Sequence, residues 1–230
     1  MDITAALAVL AERGAASHEE RCAFCVPDPA ARREPEPAAD PSEALVAEDA
    51  AATPLDLVRG VISAQERRVL EYRRFEEGFV CFLQVAEAEG YASLVADATA
   101  AFSAISKRVN AAAERLTAMA AEAGQDAAVC GVFAALVRRL QEHEREKLTV
   151  TAQLQIVRHG ILVDELRVAA ATSCNGDTDE EAEGAGGASS AERTLGFRRE
   201  EEAELRAKLG RLAEAISEVT DEVRCELADM

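Results

Sequence analysis

The sequence predicts an all-α protein: an elongated antiparallel helical bundle or coiled coil of three long helices, followed by a C-terminal heptad helix. Three observations predict it. All six prolines fall at or before Pro54, so the rest of the 230-residue chain lacks the residue that helix interiors exclude. Aromatics make up 4% of the chain and Trp is absent, whereas sheets lean on aromatic and β-branched residues. Beyond Pro54, apolar residues recur at steps of three and four over long stretches.

Residues 1–13 contain ITAALAVLAER, which can form a short helix docking through Ile3, Leu7 and Leu10. Residues 14–53 mix Pro, Ala, Glu and Asp around RREPEPAADPSE, the composition of a flexible leader. The body, residues 54–170, opens with a strong helix start. Thr53 can cap, Pro54 occupies the first turn without losing a needed donor, and Asp56 can close a capping box. Leu57, Val61, Ala64, Arg68/Val69, Tyr72, Phe75, Phe79 and Phe82/Leu83 then form one stripe, which Gly90 is expected to end. A second helix is expected from about Ser93 to Gly124, carrying Leu94, Ala98, Phe102, Ile105, Val109, Ala112 and Leu116. The third runs from Asp126 to about residue 170, through Val129, Phe133, Leu136/Val137, Leu140, Leu148, Thr151, Leu154, Val157 and Ile161. At 1.5 Å per residue it spans roughly 65 Å, so the fold must be extended. Residues 171–192 are an acidic, Gly-rich linker. In residues 193–230, Leu205, Leu209, Leu212, Ile216, Val219 and Val223 follow a heptad rhythm. That seam can pack back on the body or make a homo-oligomer, and both readings stay open.

The formal net charge of -18 is unevenly spread: residues 1–53 carry -7, residues 54–170 carry -2 and residues 171–230 carry -9. Arginines on the body, among them Arg67, Arg68, Arg73 and Arg74, alternate with Glu66, Glu71, Glu76 and Glu77. This is the pattern of a salt-laced helical surface, and it disfavours direct nucleic-acid binding, which needs cations gathered on one face. The start of the chain lacks a basic n-region, and no apolar run is long enough to span a bilayer. The expectation is an intracellular protein, nuclear or cytoplasmic and not secreted, with no membrane partner.

Little chemistry is encoded. Cys22 and Cys25 form the one close cysteine pair, with His18 nearby, but a zinc site needs about four ligands, so these are weak metal candidates. Di-iron bundles need Glu-x-x-His, and the residues three before His18, His143 and His159 are Ala15, Leu140 and Ile156. His143-Glu144 begins like a zinc-protease helix, but Lys147 stands where the second His belongs. There is no phosphate loop and no nucleophile elbow. The expectation is a non-enzyme with no catalytic residues and no cofactor.

Two blocks carry a resemblance. The first is Arg68-Val69, Tyr72, Phe75 and Gly78-Phe79 on the first body helix. The second, on the third helix, contains Leu140-Gln141, Glu146-Lys147-Leu148, Thr151-Ala152 and Leu154-Gln155. Together and in this order they resemble the DNA repair REX1-B family over roughly residues 55–170. His143 departs from the polar or acidic residue expected there. The resemblance implies a role in excision repair of damaged DNA, a nuclear location as its consequence, and no established catalytic residues. With it, Arg68, Val69, Tyr72, Phe75, Gly78 and Phe79 are expected as a signature core. Glu142, Arg145, Glu146 and Lys147, with Leu148, Thr151 and Gln155, are expected as a partner surface for proteins, repair factors among them. The rival expectation is a coiled-coil structural or cytoskeletal adaptor assembled through the 205–223 seam.

Overall fold

The structure is a computed structural model that describes residues 52–85, 88–122, 124, 126–174 and 185–229. The expected short helix at 3–13, the leader up to residue 51, and His18, Cys22 and Cys25 lie outside the described residues. Among the described residues four helices follow in order: α1 (Pro54–Val85), α2 (Ala88–Ala121), α3 (Ala127–Cys174) and α4 (Ala185–Ala228). No strand occurs among the described residues.

The start of α1 is the capping box its sequence predicts. The Asp56 N–H donates to Thr53 Oγ1 at 3.2 Å, and the Thr53 N–H donates back to Asp56 Oδ2 at 3.1 Å. The hydroxyl of Thr53 adds a 2.6 Å bond to the same carboxylate, and these bonds hold the Asp56 carboxyl below its ordinary range. Gly90 does not end α1. It lies inside α2, where a propensity cost of about 1 kcal/mol is outweighed by burying the neighbouring Tyr91, 2% exposed. At the far end α3 continues to Cys174, and α4 begins at Ala185, within the stretch expected as linker.

Contacts set the directions. Arg68 on α1 meets Ser106 on α2, and Phe82 stacks on Tyr91, so α1 and α2 are antiparallel. Asn110 and Tyr91 on α2 meet Gln141 and Gln155 on α3, again antiparallel. Helix α4 folds back along α3: Glu222, Lys208, Arg199 and Arg198 pair with Arg139, Glu146, Glu165 and Asp164 respectively. At 48 residues, α3 is roughly 72 Å long and touches every other helix. The heptad seam thus packs within the chain, with Leu212, Val219 and Val223 buried and Leu205, Leu209 and Ile216 half-buried.

One latch holds the upper part of α4. Gly160 leaves a notch in α3 that the Arg198 guanidinium fills, and a Cβ there would overlap it. From that notch Arg198 Nε reaches Asp164 Oδ2 at 3.0 Å, while Arg167 approaches Oδ1 at 3.4 Å. Asp164 is almost wholly buried, so losing Arg198 leaves its carboxylate with only the longer Arg167 contact. Gly160→Ala is therefore expected to expel Arg198 and lower stability by about 1–2 kcal/mol, a discounted figure because Arg198 is partly solvated. Thermal unfolding should show Arg198→Ala producing a similar loss, and the two together little more than either.

The interior is two apolar cores end to end. One gathers Leu57, Val58 and Val61 with Val109, Leu116, Phe133, Val137 and Val223. The other gathers Phe75, Phe79, Phe82, Tyr91, Leu94 and Phe102 with Ala152. Gly78 makes the second core compact, since a Cβ there would run into the Leu94 side chain. Gly78 thus lets α2 approach α1 closely.

Candidate functional site

Between the two cores lies a layer of buried and half-buried polar groups. On α1 it occupies Gln65 and Arg68, on α2 Ser106, and on α3 Gln141 and Glu144. Arg68 is 2% exposed and lies within the α1 stripe that elsewhere is apolar. Its guanidinium donates to Gln65 Oε1 at 2.8 Å, to Ser106 Oγ at 3.1 Å and to Gln141 Oε1 at 2.9 Å. All three acceptors are neutral. The counter-charge is Glu144, whose Oε1 accepts from Gln65 Nε2 at 3.0 Å. The Gln65 amide thus joins a buried cation to a buried anion, one bond to each.

Electrostatics follow from burial. Desolvation lowers the Arg68 pKa, and the Glu144 charge pulls the other way. Lys147 leans over the Tyr72 ring at 3.9 Å from its centroid, and its pKa too is lowered, first by desolvation. Burial and then the Glu144 charge raise the Tyr72 phenol. The Tyr72 hydroxyl and Glu144 Oε2 are both buried, and neither forms a hydrogen bond of good geometry. A cleft of about 120 Å³ opens onto this layer, lined among others by Arg68, Tyr72, Phe102, Asn110, Gln141 and Arg145.

The signature residues largely converge here. Arg68 and Tyr72 bound the layer, while Phe75, Gly78 and Phe79 enter the adjoining core. Val69 does not. It is 46% exposed, because the inward angular position on α1 belongs to Arg68, and Val69 is turned about 100° away from it. On α3, Glu142, Arg145 and Glu146 are exposed, but they do not form one free ridge: Glu146 is 2.7 Å from Lys208 of α4, and Lys147 covers Tyr72. Leu148 packs on the second core and Thr151 donates to the Lys147 carbonyl. Gln155 is fully buried, its Oε1 accepting from the Tyr91 hydroxyl at 2.8 Å and its Nε2 unpaired.

Sequence reasoning missed Gln65, Gln141 and Glu144. A signal for Glu144 was present: it lies four residues after Leu140 and four before Leu148, on the stripe itself. Its neighbours are so charged that the whole turn reads as solvated. Among the described residues no helix is long and apolar enough to cross a membrane. No group of metal-ligating side chains occurs among them either.

A helical domain whose two apolar cores are joined by a buried Arg–Gln–Glu layer is thus built from residues 54 onward. Residues 56–158 match the family model described as DNA repair REX1-B. The match takes in α1, α2 and most of α3, including the whole polar layer, and ends before the Asp164 latch and α4. Its description ties the domain to DNA repair. No curated protein and no solved structure matches the chain.

Proposed function

We propose that this chain is a non-enzymatic accessory factor in DNA excision repair, nucleotide excision repair above all, acting in the nucleus through protein contacts. The observation that carries the reading is where the REX1-B signature goes. Its one fully buried charge, Arg68, is engaged inside the bundle with Gln65, Ser106 and Gln141, and Gln65 links it to the buried Glu144. Such a layer fixes the shape of a surface rather than presenting a poised acid and base. The near-neutral charge of the body and its alternating signs support contacts with protein over contacts with phosphate. A cytoskeletal coiled-coil adaptor assembled through the 205–223 seam has less support, because Leu212, Val219 and Val223 are buried within the chain.

A deletion strain should be sensitive to ultraviolet light, and affinity isolation of the intact protein should recover repair proteins more strongly after damage. A deletion strain as resistant as its parent sinks the repair role. Catalysis by the purified chain on damaged DNA sinks the accessory one.

A further inference from the structure

Where α4 returns to the beginning of α3, a groove of about 570 Å³ runs between them. Its floor is apolar: Leu136 is buried and Val132 is 43% exposed, unusual for a valine on an otherwise charged surface. Its rim is acidic, formed by Glu218, Asp221, Glu222 and Glu226 of α4. Two of these are occupied, Glu222 by Arg139 and Asp221 by Arg224. Glu218 and Glu226 have no ion-pair partner among the described residues. The last turn of α4 holds no basic residue, so the negative end of the helix dipole adds to the same potential.

We propose that this groove docks a basic amphipathic helix of a partner protein. The apolar face of that helix would sit on Val132 and Leu136, and its cations would meet Glu218 and Glu226. Charge selects the class of partner: carboxylates and a helix C-terminus repel nucleic-acid phosphate and anionic lipid alike, and attract Lys and Arg. Geometry selects the pattern. Glu218 and Glu226 are two turns apart, about 12 Å along α4, which matches cations seven or eight residues apart on a facing helix. Leucines three and four residues after the first cation then fall between them, over the apolar floor. The inference names the chemistry of the contact and rests on the reading of this chain as a contact protein.

The test uses the full chain and a labelled 15-residue Lys/Leu/Ala helix with lysines at i and i+7 and leucines at i+3 and i+4. A scrambled peptide of identical composition is the control, with binding followed by anisotropy at low and moderate salt. The patterned peptide should bind about tenfold tighter than the scramble, the margin expected of one seated apolar anchor with two flanking ion pairs. Val132→Asp should erase that margin even though it adds a carboxylate, whereas diffuse attraction to an acidic protein would grow. The double variant Glu218→Gln/Glu226→Gln, at exposed positions, should weaken binding several-fold and flatten its salt dependence. Equal binding of the two peptides, tighter binding by Val132→Asp, or indifference to the double variant overturns the proposal. The deletion strain reads the repair role separately, so the two can fail independently.

Discussion

Arg68→Ala should lower the stability of the bundle by about 3–5 kcal/mol, the loss typical of removing one member of a buried ionic group. The guanidinium is the donor for Gln65, Ser106 and Gln141, and it balances the buried Glu144 carboxylate. Its removal leaves three acceptors without their donor, and it leaves the buried Glu144 carboxylate with only the partly desolvated Lys147 ammonium as a nearby positive charge. Chemical denaturation of the variant should show the loss as a lower midpoint with an unchanged slope. Arg68→Met combined with Glu144→Leu should recover most of it, because apolar residues of similar length remove both charges together. If the double variant is no more stable than Arg68→Ala, the two charges are not coupled through Gln65. A stable double variant also serves the functional question: a folded protein that no longer restores ultraviolet resistance would assign the layer a role beyond stability.

A second large effect is expected at Val219, which is 2% exposed and sits where α4 joins the first core. Val219→Asp places an unpaired carboxylate in that core, a change of the class that costs about 4 kcal/mol or more. The cheapest escape is for α4 to leave. Its remaining ties beyond Leu212 and Val223 are the half-buried Leu205, Leu209 and Ile216, the Arg198 latch on Asp164, and solvated ion pairs such as Lys208 with Glu146 and Arg199 with Glu165. Hydrogen exchange should therefore show protection lost through Ala185–Ala228 while α1 and α2 retain theirs. Uniform loss of protection in all four helices would mean that the seam and the three-helix body unfold as one unit.

Much of this architecture is legible in the sequence, for reasons that particular residues display. Pro54 and its flanking Thr53 and Asp56 mark the start of α1 because their chemistry is local, and the capping box forms between them. The stripe from Phe75 to Phe82 marks the second core because aromatics at helical spacing have one place to go. Gly90 misleads for the complementary reason: its cost is small and local, while Tyr91 beside it is held by Gln155 from a distant helix. The polar layer is harder still. Arg68 and Val69 share the stripe in sequence, and hydrophobicity favours the valine. The structure inverts that choice because Gln65, Ser106 and Gln141 arrive from three helices to receive the guanidinium, a meeting no local pattern records. The fate of the heptad seam was likewise undecidable locally, since an a/d pattern fits a partner chain and the chain's own α3 equally well.

The polar layer has a consequence for how the helices are indexed. Alanine recurs on the buried face of α2, at Ala98, Ala112 and Ala113, and small side chains tolerate sliding of one helix past another. An all-apolar interior of this kind would admit several near-equivalent alignments. A slip of one turn, about 5.4 Å, would part Gln65 from Glu144 and carry Arg68 toward the aromatic core or the aliphatic one, with its charge unmatched in either. The layer behaves as a key with one cut. It adds little to how tightly the bundle holds, and much to which of its possible alignments the chain adopts.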